Sequence, residues 1–290
     1  MTIFLQNIIS GLETGALYAL AALGLVLIFR TSDVINFAQG DIAMFSTFFG
    51  YRVFEKYMSY PFAVILALLF AVGLGYILER LFLRKALKLG IINKIIITMG
   101  MLMVIQGLTV IFFGTEDYYL RKAIEMDNFN IAGVIIQPNA LFIIFLTLGI
   151  VIIFNYLLKK TKFGIAIRTT AEDEETARLM GIPVGKVYSR SWMIATALGA
   201  LAGILVAPKT QVSISMMLDI HLKSFIAAVV GGFSSFFGPV AGGFLIGVAD
   251  NLVGYYWSLD WKTAIVYGIL LITLIIKPAG IFGKVVRKKV

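Results

Sequence analysis

Long apolar runs alternate with short polar connections along this chain. Uncharged stretches at 61–78, 140–158, 191–208 and 224–249 approach or exceed the roughly 20 residues that cross about 30 Å of hydrocarbon at about 1.5 Å per residue. Taken in order, the runs predict membrane segments at about 4–29, 34–54, 61–79, 91–113, 140–158, 189–208, 222–249 and 261–277. The pattern therefore predicts an all-α polytopic membrane protein with about eight membrane segments, one of them re-entrant or broken. The broken one is 222–249, whose middle reads Gly231-Gly232-Phe233-Ser234-Ser235-Phe236-Phe237-Gly238-Pro239. Such a run interrupts a helix, and irregular backbone at membrane depth is tolerated only where protein or a cavity satisfies it. A re-entrant hairpin or two short helices is expected there, with one long kinked helix as the alternative.

Charge supplies the orientation. The connection at 114–139 carries Glu116, Asp117, Glu125 and Asp127 against Arg121 and Lys122, whereas 159–188 carries Lys159, Lys160, Lys162, Arg168, Arg178 and Lys186. Basic residues mark cytoplasmic loops, so the second connection, Arg80, Arg84, Lys85, Lys88 and the tail Lys284, Arg287, Lys288 and Lys289 are expected inside. The amino terminus is then outside. This assignment forces 222–249 to enter and leave on one side, since the tail must end in the cytoplasm. Tyr255, Tyr256, Trp257 and Trp261 cluster at an outer boundary and read as interfacial anchors.

Composition narrows the chemistry. With 60% hydrophobic residues and a mean hydropathy of +0.93, the 290 residues read as one transmembrane domain, 1–290, without a separate soluble part. The net charge of +9 sits in loops, as membrane topology demands, and does not indicate nucleic acid. Zero cysteines and the single His221 offer no disulfide, thiolate or histidine metal cluster, and no catalytic or metal-binding group is predicted. His221 reads as an ordinary outer-loop residue. The amino-terminal run lacks a basic flank and is too long for a signal-peptide core, so it is expected to be retained as a span. No phosphate-cradling G-x-x-x-x-G-K-[ST] loop is present, so no cofactor is expected on this chain and any ATP would be used by a partner.

The richest stretch lies in the loop at about 159–188. Thr170 with Asp173 in the third helical position reads as a box-like cap, and Glu172, Asp173, Glu174 and Glu175 favour the positive end of a short helix. Gly181 and Pro183 stop it. Its apolar residues, Ala171, Ala177, Leu179 and Met180, are too few for a helix to stand alone in water, so the helix needs a docking surface. That surface is either the protein's own loops and the lipid headgroups, or a partner.

Glu175-Thr176-Ala177-Arg178-Leu179-Met180-Gly181 resembles the EAA-x-x-x-G signature of ABC importer permeases, with Thr at the second Ala and without the downstream Ile and Leu-Pro. Gly15-Ala16-Leu17-Tyr18-Ala19-Leu20-Ala21-Ala22-Leu23-Gly24-Leu25 and Asn36-Phe37-Ala38-Gln39-Gly40 are similar to the first two helices of the LivH-type branched-chain amino acid permeases. The resemblance extends over nearly the whole chain. It implies an ATP-driven importer subunit whose helix at 170–181 couples to an ATPase through Thr170, Glu172, Asp173, Glu175, Ala177, Leu179, Met180 and Gly181. It also implies two cytoplasmic ATPase subunits, an extracytoplasmic substrate-binding protein, and a second permease subunit, related or identical. The location implied is a bacterial or archaeal inner membrane. Relatives carrying urea or amides keep that substrate class open.

Acidic groups inside a membrane are costly unless paired or facing water. Glu13 and Asp41, with Asn36 and Gln39, either line a translocation route or brace helices; Asp250 reads as solvated near an outer boundary. An ion-gradient carrier using Glu13 or Asp41 is the competing reading. Small residues at Gly11/Gly15/Ala19, Ala195/Gly199/Gly203/Ala207 and Gly238/Gly242 predict close helix packing.

Overall fold

The computed structural model describes residues 1–87 and 89–283; Lys88 and the tail lysines and arginine assigned to the cytoplasm lie outside the described residues. Helices α1 (Thr2–Ser32), α2 (Gln39–Tyr57), α3 (Tyr60–Leu78), α4 (Arg84–Ala86), α5 (Ile91–Phe113), α6 (Pro138–Lys160), α7 (Lys162–Glu172), α8 (Glu174–Leu179), α9 (Val184–Thr210), α10 (Leu218–Gly231), α11 (Gly238–Tyr256) and α12 (Leu259–Ile276) follow in order. A π-helical turn, Glu79–Leu83, joins α3 to α4. Helix α3 therefore runs on past the apolar run, and Arg80, Arg84 and Lys85 stand on helix and not in a loop. Among the described residues, six helices are long and apolar enough to cross a membrane: α1, α3 continued through α4, α5, α6, α9 and α12. Helix α2 misses that test because Gln39, Asp41, Arg52, Glu55 and Lys56 dilute it.

Burial separates inner from outer helices. The most apolar window of α1 is 83% buried and that of α12 only 6%, and exposed Leu271, Ile272, Ile275 and Ile276 on α12 suit contact with lipid chains. One departure from the all-helical pattern is a small antiparallel hairpin, β1 (Phe129–Ile131) with β2 (Val134–Ile136). Ala132 and Gly133 both have positive φ, the two-residue turn whose twist suits a hairpin.

The chain forms two compact units. The first comprises Met1–Val26, Ile124–Val151 and the chain from His221 onward. Here the Gly11/Gly15/Ala19 stripe of α1 meets α11 with backbone almost against backbone. A Cβ on Gly247 would stand 2.3 Å from the Gly15 Cα, and one on Gly243 would stand 2.6 Å from the Ala19 nitrogen. Only glycine permits that approach.

The same unit resolves the 222–249 segment into α10 and α11, two helices folded back on each other. A Cβ on Gly242 would lie 2.1 Å from the Ala227 carbonyl oxygen, and Gly231 and Gly238 are equally close, so the helices run antiparallel about a tip at 232–237. The Ile281 and Phe282 amides donate to the Val230 and Gly231 carbonyls at 2.8 and 3.1 Å. The tip thus lies beside the chain after α12, and α10 begins and α11 ends away from it, forming the hairpin expected for 222–249. Tyr255, Tyr256, Trp257 and Trp261 are exposed at the α11–α12 turn. His221 stands on α10, not in a loop.

Asp250 is fully buried, contrary to the solvated position expected for it. Lys223 of α10 and Lys262 of α12 approach its two oxygens at 3.0 and 2.9 Å, and the Tyr18 hydroxyl donates to it at 3.3 Å. One carboxylate therefore ties α1, α10, α11 and α12. Its partners lie 27 and 12 positions away, beyond any local spacing rule.

The second unit comprises Leu27–Ala123 and Ile152–Ile220. Helix α9 is its axis. Ala63, Ala67, Ala71 and Gly75 of α3 are buried at four-residue intervals, and a Cβ on Gly75 would lie 2.4 Å from the Thr196 hydroxyl oxygen. That hydroxyl donates to the Ala71 carbonyl at 2.8 Å. Gly199 and Gly203 of α9 take α2 in the same way, against Gln39, Ala43 and Thr47. All three small-residue stripes thus pack within the single chain. On the connection after α5, Tyr118 exchanges backbone hydrogen bonds with Val212 at 3.1 and 2.8 Å, and the Arg52 guanidinium lies over its ring at 5.2 Å.

Removing one member of a buried ion cluster leaves the others uncompensated, at a cost of about 3–5 kcal/mol. Asp250→Ala should lower stability by that order in detergent unfolding, since it removes the buried carboxylate that Lys223 and Lys262 share. Stability equal to the parent protein would return Asp250 to a solvated role.

Candidate functional site

Helix α7 is capped by Thr161, whose hydroxyl oxygen accepts from the Gly164 amide at 3.0 Å. Thr170 lies inside α7 and is buried, so it caps nothing, which corrects the box expected from its spacing. Asp173 is the cap. Its extended backbone (φ −156°, ψ 113°) ends α7 and starts α8, and its carboxylate accepts from the Thr176 amide at 2.7 Å. The single helix expected over 170–181 is therefore two, with a bend at Asp173. Glu172 closes α7, while Glu174 and Glu175 occupy the first turn of α8, where acidic groups favour the helix dipole.

The far end of α8 closes with two reverse hydrogen bonds. The Gly181 amide donates to the Arg178 carbonyl and the Ile182 amide to the Ala177 carbonyl, both at 3.0 Å. This pairing requires a left-handed residue after the helix, and Gly181 supplies it with φ +77°. Ile182 and Leu87, both partly buried, then pack against buried Ala177, Val184 and Tyr188. The docking surface that α8 needs is thus partly its own protein.

The remaining apolar residues do not dock. Leu179 is 84% exposed and Met180 69%, side by side at the tip of a helix fixed at both ends. Beside them an open groove of about 670 Å³ is lined by Arg84, Leu87, Arg178, Ile182, Lys186 and Tyr188, among others. Glu174 pairs with Arg178 at 2.6 Å across one exposed turn, raising the guanidinium above its ordinary pKa. An exposed pair of this kind adds little to stability. The loop therefore presents two apolar side chains beside a groove whose lining includes three cationic residues.

Beneath this loop lies a cluster that spacing rules missed. Glu79 is completely buried and accepts from Arg84 Nε and Nη2, both at 2.9 Å. Nη2 also reaches the Gly185 carbonyl at 2.5 Å and Ser189 Oγ at 2.8 Å, and Ser189 Oγ donates to Glu79 at 2.7 Å. In an α-helix, side-chain partners lie three or four residues apart. Glu79 and Arg84 are five apart and meet because the turn between them is π-helical, with the Arg84 amide donating to the Glu79 carbonyl. Sequence spacing carries no signal for that turn.

Three of the four candidate pathway residues lie around the start of α2. Asn36 Nδ2 donates to Gln39 Oε1 at 3.1 Å, the Asn36 carbonyl oxygen of the side chain receives the Ala38 amide at 3.1 Å, and Gln39 Nε2 donates to the Ala195 carbonyl at 2.7 Å. These bonds fasten the entry of α2 to α9. Asp41, half-buried on the first turn, accepts from Gln106 Nε2 of α5 at 2.8 Å. Glu13 is buried in α1, within the first unit.

Comparison with known proteins identifies the family. A family model described as the permease component of the branched-chain amino acid transport system matches residues 7–274. The permease protein LivH of the high-affinity branched-chain amino acid transport system of Salmonella typhimurium is 28% identical over 99% of this chain and 98% of its own. A probable branched-chain amino acid transport permease LivH of Methanocaldococcus jannaschii is 32% identical over 92% and 89%. A solved chain, PsaBC from Streptococcus pneumoniae in complex with Fab, aligns with a TM-score of 0.49 and 15% identity over 95% of this chain and 92% of that one. The family match runs through the apolar helices and the capped loop alike, and this multi-pass membrane protein belongs to the permease components of branched-chain amino acid transport systems, which are transport subunits and not enzymes.

Proposed function

We propose that this chain is the membrane-spanning subunit of an ATP-driven importer and that α8 is where a separate ATPase engages it. The observation that carries this reading is the exposed pair Leu179 and Met180 on a helix capped by Asp173 and closed by Gly181. A stiff helix with an uncovered apolar tip holds its shape before a partner arrives, so docking costs little ordering entropy. The full assembly is two ATPase subunits, a second permease subunit or a second copy of this chain, and an extracytoplasmic binding protein that delivers leucine, isoleucine or valine. In the same reading the loop at 159–188 and the tail face the cytoplasm, following the basic residues, and the amino terminus is outside.

Glu175→Lys places a cation in the first turn of α8, and Leu179→Asp with Met180→Asp removes the apolar tip. In proteoliposomes holding the assembled transporter, each should lower ATP-driven uptake at least tenfold while membrane insertion stays intact. Undiminished uptake, or uptake by the permease alone under an ion gradient, would contradict the proposal. Asp41 is assigned to the translocation route, with its oxygen held by Gln106. Asp41→Asn keeps that shape and removes the charge; uptake should fall several-fold with ATPase assembly unchanged, whereas parental uptake would make Asp41 a helix brace.

A further inference from the structure

We infer that Glu79 and Arg84 form the joint that carries movement of the α8–α9 loop into the membrane helices, and that the π turn between them is the part that switches. This rests on the coupling role proposed for α8. The chain of contacts is short. Helix α8 closes at Gly181, Val184 begins α9, and Gly185 and Ser189 on the first turns of α9 are the groups that Arg84 and Glu79 hold. A displacement of α8 therefore pulls on Arg84 within a few residues.

The pair is also built to transmit. A completely buried carboxylate held by a two-pronged guanidinium and a serine hydroxyl has no slack, and such forked pairs fix orientation as well as distance. Beyond the pair, the Gly75 backbone of α3 lies against the Thr196 side chain of α9, whose hydroxyl donates to the Ala71 carbonyl, so movement of one helix is passed to the other. Helix α9 in turn holds the start of α2 through Gln39 and the Ala195 carbonyl, next to Asp41.

The π turn provides two states. It places residues 79 and 84 together through the 79-to-84 backbone hydrogen bond. Rewound as α-helix, with about 100° per residue, the same residues would point about 140° apart. Arg84 bound to Glu79 and α9 latches the π form; releasing Arg84 lets the turn rewind and rotates the end of α3. Single π turns inside α-helices occur frequently at functional sites. Arg84 also lines the groove beside α8, so the latch lies beside the surface proposed for the ATPase.

The test uses the reconstituted transporter with its ATPase and binding protein, reading uptake and ATP hydrolysis together. Arg84→Lys keeps the charge and loses the fork; Ser189→Ala removes one hydroxyl with little risk to folding. Both should retain ATPase assembly and hydrolysis within about twofold of the parent, while uptake per ATP hydrolysed falls at least tenfold for Arg84→Lys and several-fold for Ser189→Ala. Unchanged uptake per ATP in both variants overturns the joint. Equal loss of uptake and hydrolysis overturns it too, since that marks an anchor and not a transmitter. If Arg84→Lys does not fold, Ser189→Ala alone decides. Failure of the parent chain to show ATP-driven uptake overturns the coupling role of α8 itself, and the joint with it.

Discussion

Close approach of helix backbones through glycine, alanine and threonine is the constraint on which this molecule depends. Lipid tails are as apolar as leucine, so helices gain little by hiding large apolar side chains from them, and association rests on contact and interhelical hydrogen bonds. Helix α9 meets α3 at Gly75 and α2 at Gly199 and Gly203, while α11 meets α1 at Gly15 and Gly247. At Gly15 and Gly247 backbone meets backbone, and at Gly75, Gly199 and Gly203 backbone meets a polar side chain of the facing helix, which leaves little slack to absorb a displacement. The same property that holds each bundle together makes its helices rigid levers.

Buried charge is placed where those levers need fixing. Asp250 collects Lys223, Lys262 and Tyr18 in one unit, and Glu79 collects Arg84 and Ser189 in the other. Neither cluster is an inexpensive source of stability, because desolvation offsets most of the attraction. Their value lies in geometry: a paired buried charge has one low-energy arrangement, and losing a partner is costly. The exposed Arg178–Glu174 pair on α8 lacks that stringency and leaves the loop free to meet another surface.

Much of the fold is legible in the apolar runs because membrane segments obey a length rule, and the chain is helical and polytopic as expected, with six helices among the described residues long and apolar enough to cross a membrane. The break within 222–249 is legible from Gly231-Gly232 and Gly238-Pro239, and α10 and α11 form the hairpin expected there. What escapes is whatever depends on partners distant in sequence or on irregular helix. Asp250 looks solvated because its lysines come from other helices. Glu79 and Arg84 look unpaired because the α-helical spacing rules do not describe a π turn. Thr170 and Asp173 both suit a cap, and the choice between them turns on where α7 ends, which tertiary burial of Thr170 decides. The need of the short helix for a docking surface is legible, since it has too few apolar residues to stand alone; that Ala177 docks internally and Leu179 and Met180 do not is visible only in the structure.

The central claim is that the exposed tip of α8 is the contact for the energy-supplying subunit, and contact is measured most directly by site-specific photo-crosslinking. The chain has no cysteine, so a single Leu179→Cys substitution carrying a thiol-linked photoprobe reports from one position. The account predicts that illumination of the assembled transporter joins the permease to its ATPase, and that the same probe at lipid-facing Ile275 does not. Crosslinks from position 179 only to lipid or to the permease itself would contradict it.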